Sequence, residues 1–310
     1  MSVEPILPEA LRSVSGLDTP QRFYQVLRAP APLAGMSFPN RPPWKLVAAA
    51  GFESIVCLTD NIPPYDPSPL RVLRAAAFKD LVGGGQPEDP QREAAMLRDV
   101  VQATVAELRS GKGVVVHCAG GTGRTGTVIA CALAALGMAQ DEVLNYMASV
   151  NTARGKSPGW PESEWQERRV ADFVVKTGGC LCGAVRYEIS GPVRAAEYCH
   201  CSMCRKASGS AFSSNAEVAA VDFRWVAGSE LLSEFASSAQ RRKCFCSTCG
   251  SHLVIRRLDD PGTIIVTLGT IDSDAGVRPN RHVFVDSRAT WFEITDDLLQ
   301  FHVYPGFEPS

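Results

Sequence analysis

The chain has 310 residues, 45% of them hydrophobic, and its 31 Lys and Arg nearly balance 33 Asp and Glu, for a formal net charge of -2. That length accommodates two domains, each with a core of its own. No basic block suggests a nucleic-acid partner, and the best apolar run, 126–140, is too short and glycine-interrupted to span a membrane.

The opening residues MSVEPILPEA lack a charged-then-apolar leader pattern, so a soluble, cytoplasmic chain is expected. The segment to residue 40 is rich in Pro and Ala and predicts one helical piece near 19–27. A Pro-rich loop at 39–43 precedes a helix over 44–50, which Gly51 ends. Residues 54–58 (SIVCL) read as a buried strand and 75–78 as a strand-like run. Asp89-Pro90 then forms an N-cap with Pro at the first helical position, and Leu97, Val101, Thr104, Val105 and Leu108 repeat at helical spacing.

The stretch Val114-Val115-Val116-His117-Cys118 is a short buried strand, and 127–137 (TVIACALAALG) an apolar helix capped by Gly137. Between them Ala119, Gly120, Gly121, Thr122 and Gly123 form a loop whose backbone N–H groups, with the helix N-terminus, make a cradle for an anion. The same field favours the thiolate of Cys118, a nucleophile. Arg124 can bind two phosphate oxygens at once. Thr125 is placed to hydrogen-bond the sulfur and ease its departure from phosphorus.

These residues, HCAGGTGRT, closely resemble the signature His-Cys-x5-Arg-Ser/Thr of the cysteine-based protein phosphatases, nearest the dual-specificity and tyrosine type. Gly121 stands where many members carry Ala-Gly rather than Gly-Gly, and is expected to add flexibility and little else. The segments 23–27 and 33–36 resemble, more weakly, the lead-in of compact bacterial members. The order of helices and strands suits an α/β domain with a central, mainly parallel sheet flanked by helices, over residues 1–175.

The chemistry needs an acid to protonate the leaving oxygen. Asp66, Asp80 and Asp89 are the candidates, with Asp89 already serving as a cap and Asp66 in a remoter Pro-rich loop. The resemblance places the acid at Asp80, after a strand and before the long helix, with Gly83-Gly84-Gly85 as a hinge. A helix over 141–150 and a last helix ending near Val175 follow, and the resemblance puts Gln166 where some relatives align the hydrolytic water. Lipid-phosphate members commonly carry lysines in the loop; their absence here points to a phosphoprotein or small phosphoester substrate.

Eleven cysteines are present, and eight of them lie between residues 180 and 249. Lys176-Thr-Gly-Gly marks a boundary, and 184–189, 253–255, 263–268, 282–285 and 290–294 are strand candidates. The spacings Cys180-x-Cys182, Cys199-His200-Cys201-x-x-Cys204 and Cys244-x-Cys246-x-x-Cys249 point to a soft divalent metal, most simply zinc, rather than disulfides.

At GGCLCGAVRYEI, YCHCSMCRKASGSAF and FCSTCGSHL the chain resembles the glutathione-dependent formaldehyde-activating enzyme family. The resemblance implies a β-rich zinc-binding domain over 176–310 with two ions. Cys180, Cys182, Cys246 and Cys249 would close a structural site. Cys199, Cys201 and Cys204 would form a second site with a position open to a thiol such as glutathione. The implied reaction is a carbon–sulfur lyase chemistry yielding S-hydroxymethylglutathione. The main activity could instead lie in this half, or the half could serve as a non-catalytic binding or redox module. Cys244 is left over as a spare thiol, a fourth ligand to the second site, or a core residue; His200 and His252 read as supporting residues rather than ligands.

Overall fold

The computed structural model describes residues 3–8, 11, 14, 16–39 and 41–304; positions 1–2 and 305–310 of the expected domain spans lie outside the described residues. The chain divides into two compact units between Val174 and Val175.

The first unit contains β1 (Glu4–Pro5), β2 (Phe23–Ala29), β3 (Leu33–Ser37), α1 (Trp44–Ala49), β4 (Phe52–Cys57), β5 (Arg71–Ala75), α2 (Pro90–Arg109), β6 (Gly113–Cys118), α3 (Gly123–Leu136), α4 (Gln140–Ala153) and α5 (Glu164–Val170). Its sheet runs β1-β2-β3-β6-β4-β5. The pairs from β3 to β5 are parallel, and β1 and β2 join them antiparallel.

β6 lies between β3 and β4, and all six of its residues are buried. The pleat sends Val114 and Val116 into one core, with Leu97 and Val101 of α2 and Val128 and Leu133 of α3. It sends Val115 into the other, with Trp44 and Val47 of α1. Burial on both faces explains the unbroken apolar run, each such side chain contributing about 1.5–3 kcal/mol. The strand therefore delivers Cys118 to a fixed point at the sheet's end.

Local signals account for the helix ends. Asp89 accepts a hydrogen bond from the Arg92 amide at 3.0 Å, with Pro90 opening α2, and Gly137 closes α3 at φ +121. The helix expected near 19–27 is instead the strand β2. Five consecutive residues from Phe23 to Leu27 are buried between β1 and β3, and Phe23, Tyr24 and Val26 are themselves strand-favouring, so pairing and propensity agree on the strand. The last helix stops at Val170, earlier than expected.

The second unit contains β7 (Lys176–Gly179), β8 (Arg186–Ile189), β9 (Arg194–Cys199), α6 (Ser202–Ser208), β10 (Ser213–Ala219), β11 (Phe223–Ala227), β12 (Leu232–Ser238), β13 (Arg241–Cys246), β14 (His252–Arg257), β15 (Thr263–Thr267), β16 (Arg281–Val283) and β17 (Leu299–Phe301). They form a sheet β12-β13-β14-β15-β10-β9-β16-β17 and a smaller one, β11-β8-β7. Val185, Tyr187, Val218, Leu253 and Val266 share its main core. The strand expected at 290–294 is turn and coil. Within it Phe292 packs against His200 and Phe212, while Trp291 is exposed. Among the described residues no helix is long and apolar enough to cross a membrane.

Candidate active site and metal centres

The loop from Cys118 to Gly123 is held from several sides. Cys118 Sγ accepts a hydrogen bond from the Gly121 amide at 3.2 Å. Tyr24 Oη donates to the Gly121 carbonyl at 2.9 Å, and the Phe38 amide donates to the Ala119 carbonyl at 3.0 Å. Gly121 itself adopts φ +66, and a Cβ there would stand 2.6 Å from the Ser37 nitrogen and 2.7 Å from the Met36 carbonyl carbon. This position demands glycine, by conformation and by contact with β3. The sequence reading of Gly121 as mere flexibility is corrected: the residue lets the loop close onto the sheet.

His117, the residue before the nucleophile candidate, is fully buried against Phe38, Trp44 and Tyr65. Its Nε2 hydrogen-bonds Tyr65 Oη. Burial pushes its pKa down to about 4, so the ring is neutral near pH 7.

α3 starts immediately after the loop, and its N-cap, Thr122, makes no side-chain cap bond. The first turn therefore has no N-cap acceptor, the Gly123 amide meeting the Glu162 carboxylate instead, and the positive end of the helix dipole faces the loop. Thr125 Oγ1 is buried without a hydrogen-bond partner, and no bond to the Cys118 sulfur is formed in this structure. Thr127 Oγ1 donates to the Gly123 carbonyl at 2.9 Å and accepts from Trp160 Nε1 at 3.0 Å, anchoring the helix start.

Arg124 Nη2 donates to Asp80 Oδ2 at 2.6 Å, and Nη1 reaches the Phe78 carbonyl at 3.4 Å. Of the three acid candidates the fold thus brings Asp80 to the loop. Asp66 accepts from the Ser68 amide in a local turn, and Asp89 is occupied capping α2. Gly83, Gly84 and Gly85 follow Asp80 with φ of +84, +95 and +103, conformations that favour glycine.

Sequence reasoning missed Glu162. A Cβ on Gly123 would fall 1.6 Å from its Oε2, so the carboxylate lies against the start of α3. Burial, then the Asp80 charge, raises its pKa, opposed by Arg124, Gln166 and the Gly123 amide. The signal available was its place four residues before Gln166, at the start of a capped turn. Gln166 is buried rather than solvent-facing, and its Oε1 accepts from the Glu162 amide at 2.7 Å. Beside the loop a cleft of about 490 Å³ is lined by Arg22, Ser37, Phe38, Ala119, Gly120 and Lys156.

In the second unit the eight cysteines separate. The sulfurs of Cys180, Cys182, Cys246 and Cys249 lie within 4.8 Å of one another, as do those of Cys199, Cys201 and Cys204. Neighbouring sulfurs stand 3.4 Å (Cys180 and Cys182) and 3.9 Å (Cys182 and Cys246) apart. Tetrahedral Zn²⁺ with Zn–S bonds of about 2.3 Å needs sulfurs roughly 3.8 Å apart, whereas a disulfide needs about 2.05 Å. Both donor sets fit a soft divalent ion.

Cys244 joins neither cluster; its Sγ faces Glu234 Oε1 at 3.5 Å. It is not a fourth ligand to the second group. His200 and His282 hydrogen-bond at 2.8 Å, and His282 continues to Asp296 at 3.1 Å, so His200 is engaged outside the sulfur cluster. His252 also stays out of it.

Comparison with known proteins follows this division. Residues 21–170 match the family model "Swiss Army Knife protein, DSP-PTPase phosphatase domain", and residues 175–287 match "Glutathione-dependent formaldehyde-activating enzyme". A Halomonas elongata protein named for glutathione-dependent formaldehyde activation is 32% identical over 125 residues, covering 38% of this chain and 79% of that protein. Among solved structures, a Rhodobacter sphaeroides protein is 25% identical, covering 40% of this chain and 98% of its own, at TM-score 0.29. P. aeruginosa TpbA is 20% identical, covering 47% and 82%, at TM-score 0.34. A mouse dual specificity phosphatase complexed with zinc tungstate is 21% identical, covering 51% and 90%, at TM-score 0.36. Through its second unit the chain belongs to the glutathione-dependent formaldehyde-activating enzyme family, fused in one polypeptide to an N-terminal phosphatase domain of the dual-specificity type.

Proposed function

We propose that residues 1–175 hydrolyse phosphomonoesters through a phosphocysteine intermediate, with a phosphoprotein or small phosphoester as substrate. The observation that carries this is the gathering of Cys118, the N-terminal end of α3 and the Arg124–Asp80 pair around one glycine loop. In the first step Cys118 Sγ attacks phosphorus, forming an S–P bond as the ester P–O bond breaks. Ala119, Gly120, Gly121, Thr122 and Gly123 offer backbone amides to the phosphoryl oxygens and Arg124 offers its guanidinium, matching charge as it spreads over them. Asp80, displaced from Arg124 by the incoming phosphate and protonated, gives its proton to the leaving oxygen. Water then attacks phosphorus, the S–P bond breaks, and Asp80 takes the water's proton. The buried, unpartnered Thr125 hydroxyl is available to the departing sulfur.

The cleft beside the loop, with Arg22 and Lys156 on its wall, suits a substrate that extends beyond the phosphate. The test is hydrolysis of a generic aryl phosphate. Wild type should turn over and Cys118→Ser should not, while keeping its fold and its phosphate binding. Turnover by the mutant would remove Cys118 from the mechanism.

A second reading concerns residues 176–310 and rests on the three-sulfur cluster, which no further Cys, His, Asp or Glu joins among the described residues. Zinc is the ion proposed, two per chain: Cys180, Cys182, Cys246 and Cys249 would hold one as a structural link, and Cys199, Cys201 and Cys204 the other. A zinc ion with three protein ligands supplies a position where a thiol such as that of glutathione is held deprotonated, ready to add to formaldehyde. That would make this half a carbon–sulfur lyase. A metal count of two, with formaldehyde-dependent consumption of glutathione, supports this reading. Two ions without consumption would make the half a binding or redox module.

A further inference from the structure

Strand alternation in β13 separates two adjacent residues. Cys244 turns to Glu234, while Lys243 turns to the opposite face and brings its Nζ to 3.7 Å from Cys204 Sγ. Lys243 is 6% exposed, so its ammonium does not reach bulk water. Among the described residues it forms no ion pair with a carboxylate within 4.0 Å. A buried lone cation is costly, so the fold must supply a counter-charge.

The two cysteine groups differ in a way that explains where the cation sits. In the four-cysteine group Cys182 is exposed and Cys249 partly so, and water screens excess charge there. In the three-cysteine group Cys199 and Cys204 are buried and only Cys201 is partly open. Three thiolates around a divalent ion leave one negative charge in excess, which a single ammonium cancels. We infer that Lys243 is the built-in counter-cation of the three-cysteine centre, a positioning residue that lets a buried metal–thiolate group exist with one coordination position left for an outside ligand. This rests on the reading of Cys199, Cys201 and Cys204 as a metal site. A fourth cysteine in place of Lys243 would close that position and add a second negative charge; the sequence instead turns Cys244 away.

The test compares zinc content and zinc release to a chromophoric chelator in the full chain, for wild type, Lys243→Met and Lys243→Arg. Wild type should carry two ions that leave in two phases. Lys243→Met should lose the three-cysteine ion or weaken its affinity about 10–100-fold, the usual effect of removing a partner of a metal ligand. The four-cysteine phase should stay unchanged and serve as the control for folding, and Lys243→Arg should restore the lost ion. In cobalt-substituted protein, the thiolate charge-transfer absorption should fall by the share of three sulfurs in seven. Both ions retained by Lys243→Met, with wild-type release, would overturn the role of Lys243 alone. A single ion in wild type would overturn the three-cysteine site itself, and the role of Lys243 with it.

Discussion

Arg124 and Asp80, 44 positions apart in sequence, meet at 2.6 Å through Nη2 and Oδ2, with the Arg124 side chain 11% exposed and that of Asp80 50% exposed. The candidate acid thus sits on the group that would bind the phosphate, and substrate must take its place before it can act. Asp80→Asn should slow hydrolysis of esters with poor leaving groups about 100-fold, with a much smaller effect on nitrophenyl-type esters. Inorganic phosphate should inhibit the variant at least as strongly as wild type, because the competing carboxylate is gone. Equal slowing across leaving groups would transfer the acid role elsewhere.

Gly120 and Gly121 should respond oppositely to the same change. A Cβ on Gly120 meets nothing within 4 Å, whereas one on Gly121 meets the backbone of β3 at 2.6 Å. Gly120→Ala should retain thermal stability and activity within a few-fold. Gly121→Ala should lose turnover by about two orders of magnitude as the loop is pushed from its seat, the scale of losses from ångström-sized misplacement. A fully active Gly121→Ala protein would show that the loop tolerates a shift.

The stability of the first unit should fall on acidification through His117. Burial holds its folded-state pKa near 4 against an ordinary 6.5, so the unfolded chain binds the proton more readily. This contribution is fully present above pH 6.5 and is lost as pH drops toward 4, at a cost of about 3 kcal/mol over the window. His117→Asn should be less stable at pH 7 and show a flatter stability profile between pH 6.5 and 4. Denaturant melts at several pH values distinguish the two; parallel profiles would assign the acid sensitivity to other groups.

Removing metal should act chiefly on the second unit. Cys180 and Cys182 sit beside β7 and β8, while Cys246 and Cys249 flank the end of β13, so an ion there would tie the small sheet to the large one. Chelation, or Cys246→Ser, should lower the melting temperature of this unit by more than 10 °C and leave aryl phosphate hydrolysis by the first unit intact. Unchanged melting after complete metal loss would mean the apolar core of Tyr187, Leu253 and Val266 suffices.

Sequence alone determined what depends on residues close together in the chain. The strand, glycine loop and helix from Val114 to Gly137 are consecutive, so spacing and pattern are enough to put Cys118 at a strand end and Arg124 in the first turn of the following helix. The short cysteine spacings likewise mark which sulfurs are near neighbours, Cys180 with Cys182 and Cys199 with Cys201 and Cys204, whereas joining the first pair to Cys246 and Cys249 takes the fold. Asp89 as a cap was legible for the same reason.

Tertiary structure decided what depends on approach across long separations and on the face a side chain takes. Asp80, favoured over Asp66 and Asp89 on the resemblance, meets Arg124 only because β5 and the loop after it carry it there. Residues 23–27 hold strand-favouring Phe23, Tyr24 and Val26, but which strands they join, β1 and β3, is set by the fold. Gly121 is indispensable only because β3 passes against it, and Glu162 matters only because its turn folds back over Gly123. Lys243 and Cys244 are neighbours with interchangeable prospects in sequence. The pleat of β13 turns Lys243 toward the sulfur of Cys204 and Cys244 away from it, toward Glu234.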